Sequence, residues 1–250
     1  FINNSYVTKI NHKDDLIKIF DINKNKFLNL AYEKLFVSCG PIGTSKLLVN
    51  SFKKIKEIKL RETQHFYTIL KIKSKLKSKF FNFNFKNLRF SCQLYSPSDA
   101  VKIFYNKKKF NNSFNRKNYF IGQCYLDSKK SGIIKVKKKD DKINIKGYEN
   151  KFFKKSQLSK ILSLYNKTNK EMKFMSVLFN KVGASNHIGA SLPIINDQKI
   201  KLGVNINGKL NQYNNIYICD SSVIRVIDTT PITLFSMHNI LRMILSNKKL

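Results

Sequence analysis

Of the four histidines in the 250-residue chain, His187 has the setting best suited to acid–base chemistry. It follows the small, flexible run Gly183-Ala184-Ser185 and precedes Ile188-Gly189. An unperturbed imidazole titrates at about pH 6.5, so it can take up a proton near neutral pH. Read alone, a single histidine is more often a surface or core-capping residue. His12 and His65 carry no signal, and His238 falls on an apolar helical stripe where packing is the expected role. The second chemical cluster is Asp220-Ser221-Ser222, which closes the apolar run Ile216-Tyr217-Ile218-Cys219. Polar groups at the carboxyl end of a buried strand are where open α/β sheets hold ligands. Then Asp228-Thr229-Thr230-Pro231-Ile232-Thr233 reads as a helix start, with Thr230 as N-cap and Pro231 at the first helical position. A strand end and a helix amino terminus would thus lie close together, ready for a polar or anionic group. Gly40, at the exit of Leu35-Phe36-Val37-Ser38-Cys39, would let backbone approach a ligand closely.

The elements that must position these residues are unevenly legible. Residues 1–34 alternate apolar and polar, with a turn at Asn23-Lys24-Asn25, and predict a small antiparallel meander. The strand at 35–39 is closed by Gly40-Pro41-Ile42-Gly43-Thr44, and a helix is expected from Ser45 to about Phe52. Leu88–Tyr95 alternates as a strand. Ser131-Gly132 introduces Ile133-Ile134-Lys135-Val136, and Asp140-Asp141 turns into Ile143-Asn144-Ile145, which predicts a hairpin. The alternating Phe80–Phe85 is expected to be one face of a strand, although aromatics among lysines can also stack bases. From Ser156 to Phe179, Leu158, Ile161, Leu162 and Tyr165, then Met172, Met175 and Leu178, suggest helix. Strands with helices on one face would make an α+β domain over 53–180. After Pro231, the apolar residues Leu234, Met237, Leu241, Ile244 and Leu245 recur at helical spacing and predict one buried stripe.

Several of these pieces, taken in order, resemble a known family. They are His187-x-Gly189, Gly208-Lys209-Leu210, the run Asn215 to Ser222, and Pro231-Ile232-Thr233-Leu234 opening a helix. Together they are similar to the carboxyl-terminal signature of glucose-methanol-choline flavin oxidoreductases. Cys39 to Ser51 resembles the stretch by which that family returns to its flavin domain, and Ser128 to Ile133 resembles a strand start of its substrate domain. The resemblance implies the carboxyl-terminal part of a Rossmann-like α/β FAD-binding domain, with an α+β substrate domain built on an antiparallel sheet. Residues 1–52 would end the first part of the FAD domain, 53–180 would bind substrate, and 181–250 would return to the FAD domain. The implied reaction is hydride transfer from a CH–OH group to FAD, with His187 as base and a sugar or polyol as candidate alcohol. Thr230 is the neighbouring hydroxyl. The implied FAD contacts are Gly40, Asp220, Ser221, Ser222, Pro231, Ile232 and Thr233, and no metal is implied.

The chain departs from the family twice. Many members read His-x-x-Gly, which would put the histidine at Asn186, whereas a His-x-Gly-x-Ser-x-Pro branch matches His187, Gly189, Ser191 and Pro193. The usual second catalytic residue, a His or Asn, aligns with Pro231, whose side chain cannot exchange a proton. A family member that keeps the scaffold without turnover is therefore one alternative. The sequence also contains no Gly-x-Gly-x-x-Gly, so the dinucleotide phosphate loop is expected in an amino-terminal segment absent from this chain, which starts at Phe1. As a fragment it should bind FAD poorly alone.

The net charge of +33 raises another class, a basic nucleic-acid binder using Lys and Phe of residues 52–120. Only five of the 48 basic residues are Arg, the type favoured for bidentate base and phosphate contacts. Abundant Lys, Asn, Ile and Phe match the drift of an AT-rich genome, so no specific nucleic acid is expected. The four cysteines (39, 92, 124, 219) form no Cys-x-x-Cys, and Cys39 and Cys219 read as buried small hydrophobes. No apolar run of about eighteen residues is present, and a reducing cytoplasmic compartment is the expectation.

Overall fold

The computed structural model describes residues 2–73, 79–85, 88–96, 118–151, 153, 155–195, 202–213 and 215–247. The expected meander is there: β1 (Ser5–Asn11), β2 (Leu16–Asp21) and β3 (Lys26–Ala31) pair in order as an antiparallel sheet. Its turns use Asp15 and Asn25 at φ 49° and 47°, residue types whose short polar side chains tolerate left-handed backbone. β4 (Leu35–Val37) then leads into α1 (Gly40–Ser51). The helix starts at Gly40 rather than Ser45. Gly40 takes a φ of +70°, and Pro41 in the first turn has the fixed φ a helix needs, so the stretch read as a turn is helical.

Two antiparallel sheets occupy the middle of the chain. One is ordered β11-β10-β5-β13, from β5 (Glu57–Glu62), β10 (Ile133–Lys139), β11 (Lys142–Tyr148) and β13 (Ile188–Gly189). The β10–β11 hairpin is the predicted one, and its turn residues Asp140 and Asp141 both have positive φ, as a tight two-residue hairpin requires. The other sheet is ordered β12-β6-β9-β8-β7, from β6 (His65–Ile72), β7 (Phe80–Phe85), β8 (Leu88–Tyr95), β9 (Tyr119–Leu126) and β12 (Met172–Phe179). α2 (Lys155–Thr168) covers one face of it, burying Leu158 and Leu162 with Phe66, Leu70, Phe90 and Cys124. Phe81, Phe83 and Phe85 pack on this core, with Phe83 4.7 Å from Phe90 and 5.3 Å from Phe174. These three rings are thus partly buried against the sheet's core. Residues 97–117 of the stretch considered for nucleic-acid binding lie outside the described residues.

The long helix expected over 156–179 is a helix followed by a strand. Asn169 Oδ1 accepts from the amides of Glu171 and Met172, both at 2.9 Å, which ends α2 in a turn. Met172 and Phe174 then alternate into the core from β12, pairing with β6.

A second core joins the remaining elements. β14 (Ile216–Ile218) pairs in parallel with β4, followed by a 3₁₀ turn (Ser221–Val223) and α3 (Ile232–Asn247). Leu48, Phe52, Leu60, Val136 and Ile218 meet there. α3 corrects one expectation outright. Its buried residues are Ile232 and Met243, with Ile240 half-buried, while Leu234, Met237, Leu241, Ile244 and Leu245 are 45–77% exposed. His238 is exposed as well. The helix carries other apolar residues, of which Ile240 and Met243 face this core and Ile232 a smaller cluster with Ala190, Ile224 and Ile227. Cys39 is likewise exposed rather than buried, while Cys219 is buried as expected. Among the described residues, no helix is long and apolar enough to cross a membrane.

Candidate active site

The parallel pairing of β4 and β14 sets up the site. Cys219 N donates to Val37 O at 2.8 Å, so both chains leave the pair side by side: one at Cys39-Gly40, the other at Asp220-Ser221-Ser222. Asp220 ties the two exits together. Its Oδ1 accepts from Ser222 N at 2.8 Å, capping the 3₁₀ turn, and its Oδ2 accepts from Thr44 Oγ1 of α1 at 2.5 Å. The segment 188–194 lies against this turn. Ser221 Oγ donates to Ile188 O, and the amides of Ala190 and Leu192 donate to the carbonyls of Ser221 and Ser222. A Cβ on Gly189 would sit 2.4 Å from Ser221 O, so the close approach of these backbones demands glycine there.

A cleft of about 400 Å³ opens where these pieces meet the first turn of α3. Its lining includes Gly40, Asn186, Ile188, Ser221, Ile232 and Thr233. Four of the residues singled out for cofactor contact (Gly40, Ser221, Ile232, Thr233) therefore share one cavity. Asp220 and Ser222 stand behind it, buried, and shape it through the turn. Thr230 and Pro231 instead line a second cleft of about 260 Å³, beside the ion pair in which Arg89 Nη2 reaches both oxygens of Asp228 at 3.0 Å. The first cleft fits one wall of a cofactor site. At Gly40 the missing Cβ would meet nothing within 4 Å, so backbone is open to a ligand. Ser236 Oγ on its rim has no hydrogen-bond partner among the described residues.

His187 is placed differently from its two neighbours. Asn186 and Ile188 line the first cleft, whereas the His187 ring stacks on Tyr125 at 4.4 Å and 16° and lies 6.4 Å from His65. It is about nine-tenths buried, and its Nδ1 has no hydrogen-bond partner among the described residues. Burial lowers its pKa, which keeps the imidazole neutral at pH 7 and able to accept a proton. Tyr125 belongs to the face of the five-stranded sheet that α2 leaves uncovered. There Tyr95 Oη donates to Gln123 Oε1 at 3.3 Å, and Gln123 Nε2 donates to Tyr125 Oη at 2.9 Å. Burial, with nearby Tyr95 and Tyr67, pushes the Tyr125 phenol up to about 12, so it remains protonated. Sequence reasoning missed this row. The signal was the polar half of the alternation in β6, β8 and β9: across register, His65 faces Tyr125 and Gln123 faces both Tyr67 and Gln93.

Glu62 is the other residue it missed. This fully buried carboxylate accepts from Gly183 N with both oxygens at 3.0 Å, and its backbone pairs with Ile188, so it fixes the loop that delivers His187. Burial raises its pKa, outweighing the amide hydrogen bonds. A carboxyl group whose folded pKa is raised contributes stability that is full below its unfolded value, about 4.3, and is lost as pH rises through the folded value. Glu62→Gln cannot ionise. Urea titrations at pH 4 and pH 7 should therefore show the variant gaining on the parent as pH rises, and a gap that is flat with pH would contradict this.

No protein-family model matches the sequence, and no curated protein matches it. Solved structures do. Pyridoxine 4-oxidase from Mesorbium loti superposes with a TM-score of 0.61 at 9% identity, over 98% of this chain and 57% of its own. An FAD-dependent oxidoreductase from Chaetomium thermophilum superposes with a TM-score of 0.53 at 10% identity, over 99% of this chain and 62% of its own. The chain thus spans about three-fifths of the length of either neighbour. It has the fold of FAD-dependent oxidoreductases, in agreement with the resemblance its sequence bears to the glucose-methanol-choline family.

Proposed function

We propose that the chain is the carboxyl-terminal portion of an FAD-dependent oxidoreductase acting on CH–OH groups. Residues 1–52 and 181–250 belong to its Rossmann-like FAD-binding domain and 53–180 to its substrate domain. The observation that carries this reading is the convergence of Gly40, Ser221, Ile232 and Thr233 on one cleft, at the carboxyl ends of two parallel strands. FAD, when bound, supplies the hydride acceptor. Asp220 and Ser222 hold the turn that borders it, and the first amides of α3, after Thr230 and Pro231, offer partial positive charge to an anion, worth roughly 0.3–2 kcal/mol. His187 takes the alcohol proton, and the hydroxyls and amides of Tyr95, Gln123 and Tyr125 orient a polar alcohol before it. A sugar or polyol suits that hydrogen-bonding row. The four free thiols suit a reducing cytoplasmic compartment.

A second reading, a scaffold without turnover, has its own support. Asn186 rather than His187 lines the cleft, and Pro231 brings no proton-transfer group. One experiment separates the two. The reading frame, extended ahead of Phe1, is expressed, and its visible spectrum is recorded anaerobically with a panel of alcohols, pyridoxine included. Flavin bands that bleach with an alcohol support the enzyme. Bands that persist through the panel support the scaffold, and a colourless protein after FAD addition rejects both.

A further inference from the structure

A cavity of about 800 Å³ lies at the other end of α1 from the candidate active site. Gly40 opens the helix beside the first cleft and Ser51 closes it beside this cavity, about 18 Å away along a twelve-residue helix. Two hydrogen bonds tie its walls together, from Ile10 N to Ser51 Oγ and from Asn50 Nδ2 to Thr8 O, both at 2.8 Å, so the space is built into the fold. Its lining holds five lysines (Lys9, Lys13, Lys18, Lys53 and Lys54) and no acidic side chain. None of the five is in an ion pair among the described residues. The neighbouring acids are turned to other partners: Asn11 Nδ2 donates to Asp14, and Asp15 acts on the Tyr32 phenol. Lys53 and Lys54 follow the carboxyl end of α1 and offset its partial negative charge. The three lysines of the meander have no such role.

Their placement is unusual. The pairing of β1 with β2 shifts register between Val7 and Lys9, which sets Lys9 directly opposite Lys18. Like charges directly opposite each other destabilise a sheet, and bulges concentrate where a strand re-aims a side chain at a site. Lys18 Nζ stands 4.2 Å over the Phe27 ring, a contact that leaves its charge in place. The far wall is aromatic, with His12 meeting Tyr213 edge-on at 5.1 Å and Phe52 at 5.2 Å. Gln212, beside Tyr213 in the same lining, holds a left-handed φ of 68°, and strain of this kind collects at ligand sites. The geometry points to a binding site for a small polyphosphate, its phosphates at Lys9, Lys13 and Lys18 and any attached aromatic ring against His12. Ammonium groups bind phosphate as point charges, and a concave surface of one sign concentrates the field on an anion. The volume is that of a small-molecule site. The cavity shares no lining residue with the first cleft, so the proposal does not rest on the flavin reading.

The test titrates the 250-residue chain with inorganic triphosphate and with ATP, by calorimetry at fixed salt. Each should saturate one site per chain. Lys9→Gln/Lys18→Gln should weaken both ligands at least about tenfold, as the loss of a single charge-assisted hydrogen bond already implies. Both positions are exposed, and the variant should melt no lower than the parent because a like-charge pair is gone. Lys13→Gln, in the exposed turn after β1, gives an independent reading and should weaken binding in the same direction. Lys142→Gln/Lys146→Gln removes the same charge from exposed positions of β11 and should leave binding unchanged. ATP binding tighter than triphosphate, with the difference lost in His12→Ala, identifies the ligand as a nucleotide; equal affinities identify an inorganic polyphosphate. The proposal is overturned by the absence of a saturable site, by a site that survives Lys9→Gln/Lys18→Gln and Lys13→Gln, or by equal weakening in both double variants, which would mean that net charge alone attracts the anion.

Discussion

His187→Ala in the flavin-loaded protein should leave the flavin bound and slow its bleaching by a substrate alcohol roughly 10²–10⁴-fold, the usual contribution of a positioned general base. The expectation follows from where the ring sits. It is neutral at pH 7 because burial lowers its pKa, and its Nδ1 is buried and unpaired among the described residues, so protonating it breaks no protein hydrogen bond. Its stack on Tyr125 fixes the ring plane, and Tyr125 is held in turn by Gln123. Two controls isolate the proton from the packing. His187→Phe keeps a ring on Tyr125 without a base and should be as slow as alanine. The bleaching rate of the parent should also fall as pH drops below the ordinary histidine value of about 6.5 and through the lowered folded value. The same titration costs stability: a depressed folded pKa gives stability present above the unfolded value and lost as pH falls through the folded one. If His187→Ala bleaches normally while Asn186→Ala does not, His187 is not the base, and the residue that positions the substrate is Asn186 on the cleft wall.

That one-residue question shows where sequence reading runs out. Local alternation was enough for the meander, for β8 and for the β10–β11 hairpin, because period-2 patterns with Asn or Asp turns specify both strand and connection. Alternation also says that neighbours such as Asn186, His187 and Ile188 point to opposite sides, but not which side is the cleft. That depends on Ser221 Oγ and Thr63 N, which fix the carbonyls of Ile188 and His187 from elements far away in the chain. The stripe on α3 failed for a related reason. Its periodicity was read correctly as helical, yet Ile240 and Met243 face the core and Ile232 is buried in a smaller cluster with Ile224 and Ile227, and amphipathic pattern alone does not rank two rows. Glu62 was invisible as well, since a carboxylate in a strand with Glu57, Lys59 and Arg61 looks like a solvated charge until Gly183 is found against it. The strand exits and helix starts were more legible, and Gly40, Ser221 and Ile232, named from the sequence, border one cleft.

Asp220→Ala should be the most damaging single change to the fold of the site, lowering stability by roughly 2–4 kcal/mol. Loss of the cap on the 3₁₀ turn contributes about 1 kcal/mol. Stranding Thr44 Oγ1 adds about 1–3 kcal/mol, because that hydroxyl is fully buried and Asp220 is its partner. For a chain of this size the melting temperature should fall by roughly 5–15 °C, read by thermal denaturation. Thr44→Val removes the other half of the contact and should cost less, since no carboxylate hydrogen bond to Ser222 is lost. Combined with Asp220→Ala it should recover part of the loss, as coupled neighbours are not additive. In the flavin-loaded protein the same carboxylate spaces the exits of β4 and β14, so Asp220→Ala should also release FAD during gel filtration while Thr44→Val retains it. An alanine variant that melts with the parent and keeps its flavin would mean that the parallel pair and the 188–194 segment hold the cleft without Asp220.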